Sequence, residues 1–149
     1  MAITRSYKVG DEIPPLTKNM TQDAINFFEK SGGAEGPSQF TDAETARDKL
    51  GTHSTVASGR MSLTFAVELL RRYFGADVYN RGGMVDLRFL RPVRPGDAVT
   101  FTGKITGIAK EANGGRVSVA VTATNQKGDV TAAGTGACLV PSGYLPAEE

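Results

Sequence analysis

Residues 56–74, VASGRMSLTFAVELLRRYF, carry apolar side chains at the spacing of a helix wrapped on most of its circumference. Met61, Phe65, Leu69 and Tyr73 recur at i+4, and Leu63, Val67, Leu70 and Phe74 fill a neighbouring row. Only Thr64, Glu68, Arg71 and Arg72 make a polar stripe, so one partner helix would leave apolar surface in water. Past Phe74 the period changes. Gly75, Gly82 and Gly83 break the helix, and the segments 84–90, 98–110, 117–124 and 130–140 read as strands. In the third of these, Val117, Val119, Val121 and Ala123 alternate with Ser118, Ala120, Thr122 and Thr124, the pattern of a half-buried antiparallel strand. A proline-bounded corner at 91–97, a hairpin turn at 113–115 and a turn at 127–129 separate them.

The N-terminal half is shorter in its elements. Residues 8–13 read as a turn into an edge strand, and Pro14 and Pro15 exclude that strand from a central ladder position. Thr21 is placed to cap a short helix over 22–30 with Ile25 and Phe28 inward. A glycine-rich loop, SGGAEGPSQF, fills 31–40 and reads either as a solvated connector or as a loop approaching a ligand. Thr41 and Glu44 fit a capping box for a second helix to about Leu50, which Gly51 ends. A tight link at 52–55 then carries His53 toward the long helix, and 143–149 reads as a loose tail.

These elements predict one α+β domain over 1–149, an antiparallel sheet curved around one long central helix, each covering the other's apolar face. Such a sheet leaves an edge strand open, so pairing with a second copy is expected. Composition narrows the function. The 149 residues hold 17 Lys and Arg against 16 Asp and Glu, a net charge of +1 with both signs interspersed, which argues against a nucleic-acid or membrane-surface face. No apolar run approaches the ~20 residues of a membrane span. The segment MAITRSYKVGDEI lacks the apolar core of a secretory signal, so a cytoplasmic location is expected. The single cysteine, Cys138, gives zinc no thiolate partners and sits among small residues as a buried, bland thiol. No metal is expected. The single histidine, His53, must serve any imidazole chemistry.

Ser58 and Gly59 stand at the mouth of the long helix, where free backbone N–H groups and the positive end of the dipole can receive a polarised oxygen. A serine cap on a plain core helix is the alternative. Here the chain resembles a known family. VASGRMSL is similar to the I-A-H-G-M helix start of MaoC-like hydratases, FLRPVRPGDAVTF to their F-x-x-P-V-x-x-G-D-x-V corner, and Val9, Gly10 and Asp11 to their opening V-G-D. The resemblance covers nearly the whole chain in the right order. It implies a hotdog fold, a homodimer or heterodimer, and an acyl thioester of coenzyme A or acyl-carrier protein as ligand, with no other cofactor. It also implies water addition to, or removal from, a 2-enoyl or 3-hydroxyacyl thioester. That reaction needs a base, an acid and donors for enolate charge.

Gly59 matches the family's oxyanion N–H. The family's acid–base pair, spaced as D-x-N-P-I/L-H, does not carry over. Aligned on the proline, Ala34 takes the Asp position and Gln39 the His position; aligned on Asp42, Glu35 and Phe40 do. Three readings follow. In a hydratase, Glu35 replaces the base and His53 supplies the imidazole, with Ser58, Arg60, Gln39 and Phe40 around the substrate. In the second, the chain is the non-catalytic half of a hotdog heterodimer that shapes its partner's acyl pocket. In the third, a thioesterase, Glu68 would act, but Arg71 and Arg72 three and four residues on make an ion pair the better account. Arg60 beside the glycine reads as a guanidinium for a phosphate or carboxylate, or as a cation reaching into solvent.

Overall fold

The computed structural model describes residues 6–145; residues 1–5 of the N-terminal stretch and 146–149 of the expected tail lie outside that range. The sheet contains β1 (Glu12–Met20), β2 (Met84–Phe89), β3 (Asp97–Glu111), β4 (Gly114–Thr124) and β5 (Val130–Pro141). The strands pair antiparallel in the order β1-β3-β4-β5-β2, which leaves β1 and β2 at the edges. Pro14 and Pro15 fall where the β1–β3 register shifts, between Ile13 and Leu16. Lacking N–H groups, they are tolerated there. Asn125 closes the β4–β5 turn by accepting from the N–H groups of Lys127 and Asp129, each at 3.0 Å.

Four helices accompany the sheet: α1 (Gln22–Ser31), α2 (Ala43–Leu50), α3 (Gly59–Phe74) and α4 (Ala76–Gly82). The long helix thus begins at Gly59 rather than at 56. The preceding residues are held extended, because Ala57 N–H donates to the Val93 carbonyl at 2.8 Å and Val56 N–H to that of Gln39 at 3.3 Å. On α3 the buried residues are Met61, Ser62, Ala66, Leu69, Leu70 and Phe74. The row through Ser62 and Ala66 lies deeper than the expected Leu63 and Val67, which are half-buried. Small side chains bring the helix close to the sheet, and β5 answers with small residues of its own. A Cβ on Gly136 would stand 2.5 Å from Leu70 Cδ1. Leu69, Leu70 and Phe74 are 0–2% exposed, and burying each contributes about 1.5–3 kcal/mol.

Two local readings are corrected. The N-cap of α2 is Asp42, not Thr41: its carboxylate accepts from Thr45 N–H at 3.0 Å and Thr45 hydroxyl at 2.7 Å. Thr41 instead accepts from Ser38 N–H at 3.1 Å, closing the glycine-rich loop. The glycines after Phe74 frame a further helix, α4, anchored by buried Tyr79 and by Arg71 donating to Asn80 at 3.2 Å. As expected, Thr21 caps α1 and Gly51 ends α2 in the left-handed region at φ 68°.

Candidate active site at the mouth of the central helix

Four segments converge where α3 begins. The corner after β2 presents Val93 to Ala57. That corner is fixed by Arg94 N–H donating to Asp97 at 2.9 Å and by Gly96 N–H donating to the Met20 carbonyl at 2.8 Å. Its Arg94 guanidinium donates to Ser54 Oγ at 2.9 Å. From α1, Gln22 uses both ends of its amide: Nε2 donates to the Phe40 carbonyl and to Asn26, each at 2.9 Å, and Oε1 accepts from Thr55 Oγ1. A side-chain amide with both ends engaged cross-links α1, the glycine-rich loop and the segment leading into α3.

Ser58 is the N-cap of α3 by position, with φ −68° and ψ 152°, yet its side chain makes no capping bond. Its Oγ is buried without a hydrogen-bond partner among the described residues. The serine-cap alternative therefore does not account for this residue. Gly59 follows as the first helical residue, and the ring of Phe89, at the end of β2, covers it. A Cβ on Gly59 would lie 2.7 Å from Phe89 Cε2 and Cζ, so only glycine leaves this backbone approachable.

Arg60 is engaged by the protein itself. Its Nη2 lies 3.1 Å from Glu29 Oε2, with side-chain exposures of 66% for Arg60 and 3% for Glu29. A guanidinium in the first turn opposes the helix dipole, and the carboxylate offsets that. Glu29 Oε1 is buried and, among the described residues, has no hydrogen-bond partner. The Glu29 carbonyl accepts from Ala34 N–H at 3.0 Å, turning the glycine-rich loop back onto α1.

The structure brings Ser58, Gly59, Arg60, Gln39 and Phe40 to one place. Gln39 and Phe40 are half-buried and contribute their carbonyls; Phe40 also packs on the core. Glu35 and His53 are exposed on their loops and make no hydrogen bond or ion pair to one another. Glu29 is the residue that sequence reasoning passed over. Ile25 and Phe28 already marked the inward face of α1, and position 29, four residues after Ile25, shares it.

Other candidate groups are accounted for elsewhere. Glu68 places one oxygen 2.8 Å from Lys18 Nζ and the other 2.9 Å from Arg72 Nη2, as the ion-pair reading expects for Arg72; Arg71 turns to Asn80 instead. Burial pushes the Cys138 thiol up to about 11, which leaves it inert as a nucleophile. No cluster of metal-binding side chains occurs among the described residues, and none of their helices is long and apolar enough to cross a membrane. An open groove of about 690 Å³ lies away from the mouth, between α4 and the β3–β4 hairpin, lined by Asp77, Arg81, Glu111 and Tyr144.

Comparison with known proteins agrees on the fold. The structure superposes on an (R)-hydratase from A. caviae involved in PHA biosynthesis with a TM-score of 0.71 at 19% identity, covering 91% of this chain and 98% of that one. A MaoC-like dehydratase from Rhodospirillum rubrum gives 0.73 at 24% identity, covering 95% and 96%. The ChsH1-ChsH2 complex from Mycobacterium tuberculosis gives 0.72 at 16%, covering 89% and 98%. No curated protein matches in sequence. The family model for the MaoC like domain matches residues 38–127, a span that holds the glycine-rich loop's end, the mouth of α3, the corner and the paired strands β3 and β4. The chain belongs to the MaoC-like domain family and has its hotdog fold.

Proposed function

We propose that the protein is an acyl-thioester hydratase or dehydratase that adds water to a 2-enoyl thioester, or removes it from the 3-hydroxy form. The carrier is coenzyme A or acyl-carrier protein, and no further cofactor takes part. The observation that carries this reading is the mouth of α3. Gly59 offers an N–H with no acceptor among the described residues, at the positive end of a 16-residue helix, beside the buried, partnerless hydroxyl of Ser58. Charge developing on a thioester oxygen is stabilised by such prepositioned donors. Phe89, Gln39 and Phe40 border the acyl chain. The neighbouring hydratase and dehydratase structures support the reading. The test is the loss of enoyl absorbance when purified protein meets 2-enoyl thioesters of increasing chain length; no turnover with any of them would refute it.

A second reading has its own observation. The family's Asp and His are missing, and the chain's substitutes for them, Glu35 and His53, are exposed. A chain of this kind would serve as the non-catalytic half of a hotdog heterodimer. The structure of a two-component complex among the neighbours supports it. Either reading uses the free edge of β2, where Met84, Phe89 and Leu90 are 50–53% exposed, for pairing with a second hotdog subunit. Co-purification with a motif-bearing homologue, and a rise in that partner's turnover, would favour this second reading.

A further inference from the structure

We propose that Glu29 is the acid–base carboxylate of this chain, moved from the glycine-rich loop to α1. The inference rests on the hydratase reading. Water addition needs a base beside the acyl group, and the position at which the family resemblance implies a carboxylate is, in the proline register, Ala34. Ala34 N–H donates to the Glu29 carbonyl at 3.0 Å, so the vacated position sits directly against Glu29. From there the Glu29 side chain runs to Arg60, the residue that follows Gly59. Through its backbone Glu29 is thus tied to the vacated position, and through its carboxylate to the residue that follows the proposed oxyanion donor.

The state of that carboxylate points the same way. Glu29 is 3% exposed, and a buried charge is kept only where it is paired and hydrogen-bonded. Arg60 holds Oε2, while Oε1 is buried with no partner among the described residues. A buried carboxylate oxygen without a protein partner is rare in a native protein and fits a place that holds a water or does chemistry on one. Ser58 Oγ is a second such atom, on the residue before Gly59. A purely structural ion pair would occupy the first oxygen and leave the second unexplained.

While Oε2 stays on the Arg60 guanidinium, Glu29 Oε1 takes a proton from water as the water oxygen bonds to C3 of the 2-enoyl thioester. The C2–C3 π pair moves to C2 and the thioester oxygen, where Gly59 N–H stabilises the enolate. The protonated Glu29 then delivers that proton to C2, the enolate collapses, and the carboxylate is restored. The sum is one water added, with no oxidant or second acid required.

The experiment compares wild type, Glu29→Gln and Glu29→Ala in crotonyl-CoA hydration, with thermal melts and with added formate. An active wild type, a fall in kcat of about 10²–10⁴-fold in Glu29→Gln at nearly unchanged KM, and saturable formate rescue of Glu29→Ala support the assignment. The isosteric Gln variant decides if the Ala variant fails to fold. Turnover in Glu29→Gln within a few-fold of wild type overturns Glu29 alone and leaves the hydratase reading standing. A loss that follows the melting temperature without formate rescue overturns it in favour of a structural pair. A wild type inert on every enoyl thioester overturns both.

Discussion

Gly59→Ala separates a structural glycine from a catalytic one. The new Cβ would stand 2.7 Å from Phe89 Cε2 and Cζ and 3.1 Å from Cδ2, against an unstrained carbon contact of about 3.5–4.0 Å. The ring must retreat by about 1 Å. It can, because these atoms are the far end of a side chain that is 52% exposed. The retreat forfeits part of a burial worth about 1.5–3 kcal/mol when complete. Replacing glycine by alanine within a helix returns about 0.5–1 kcal/mol. The two nearly cancel, so stability should change by no more than about 1 kcal/mol, or about 2–4 °C for a chain of this size. Turnover should respond far more. A methyl group and a displaced ring obstruct the approach to the Gly59 N–H, and losing one oxyanion donor costs about 10²–10³-fold in kcat. Steady-state hydration kinetics and calorimetric melts on one preparation give both numbers. In a Phe89→Ala background the added methyl meets no ring, so only the helix gain of about 0.5–1 kcal/mol should remain, while the methyl's obstruction of the N–H persists in the kinetics. Undiminished turnover in Gly59→Ala would refute the oxyanion role.

Gly134→Ala should do the reverse, because its Cβ would meet the Asp86 carbonyl oxygen of β2 at 1.9 Å. Backbone cannot swing aside, so a cost of about 3 kcal/mol, a melting temperature lower by about 6–12 °C, and faster hydrogen exchange in β2 are expected. Asp42→Ala should fray α2, and the deficit should depend on pH. The Thr45 hydroxyl and N–H hold the Asp42 carboxyl below its ordinary range, so its stabilisation is full above that range and fades as pH falls through the lowered value. Helicity of wild type and variant, measured across that interval, should converge at its acidic end. Cys138, with its thiol raised to about 11, should resist thiol reagents at about pH 8 in the folded protein and react on unfolding; rapid labelling of the native state would contradict its burial.

Most of the fold is written in periodicity. The helical spacing at Met61, Leu69, Leu70 and Phe74 and the alternation from Val117 to Thr124 each name an element correctly, because burial on one face forces the pattern; the hairpin turn expected at 113–115 falls at 112–113, with Gly114 and Gly115 already paired in β4. What escaped was encoded otherwise. The seven residues of α4 are too short for a period and lie between glycines that read as breakers. Ser62 and Ala66 carry no hydrophobic signal, yet small size is what a close helix–sheet contact requires. Thr41 and Asp42 are both capping types, and only backbone geometry chooses between them. At the candidate site, Gly59 was legible through its neighbours in sequence. Glu29 was legible only as a position on the inward face of α1; its pairing with Arg60, 31 residues away, is made by the fold alone.

The central claim, that the thioester is polarised at the mouth of α3, is tested most directly by a crystal structure with a bound, non-hydratable acyl-CoA. The account predicts the thioester oxygen within hydrogen-bonding distance of Gly59 N, with C2 and C3 beside Glu29. A thioester seated in the groove between Asp77, Arg81 and Glu111, its oxygen away from Gly59, would contradict it.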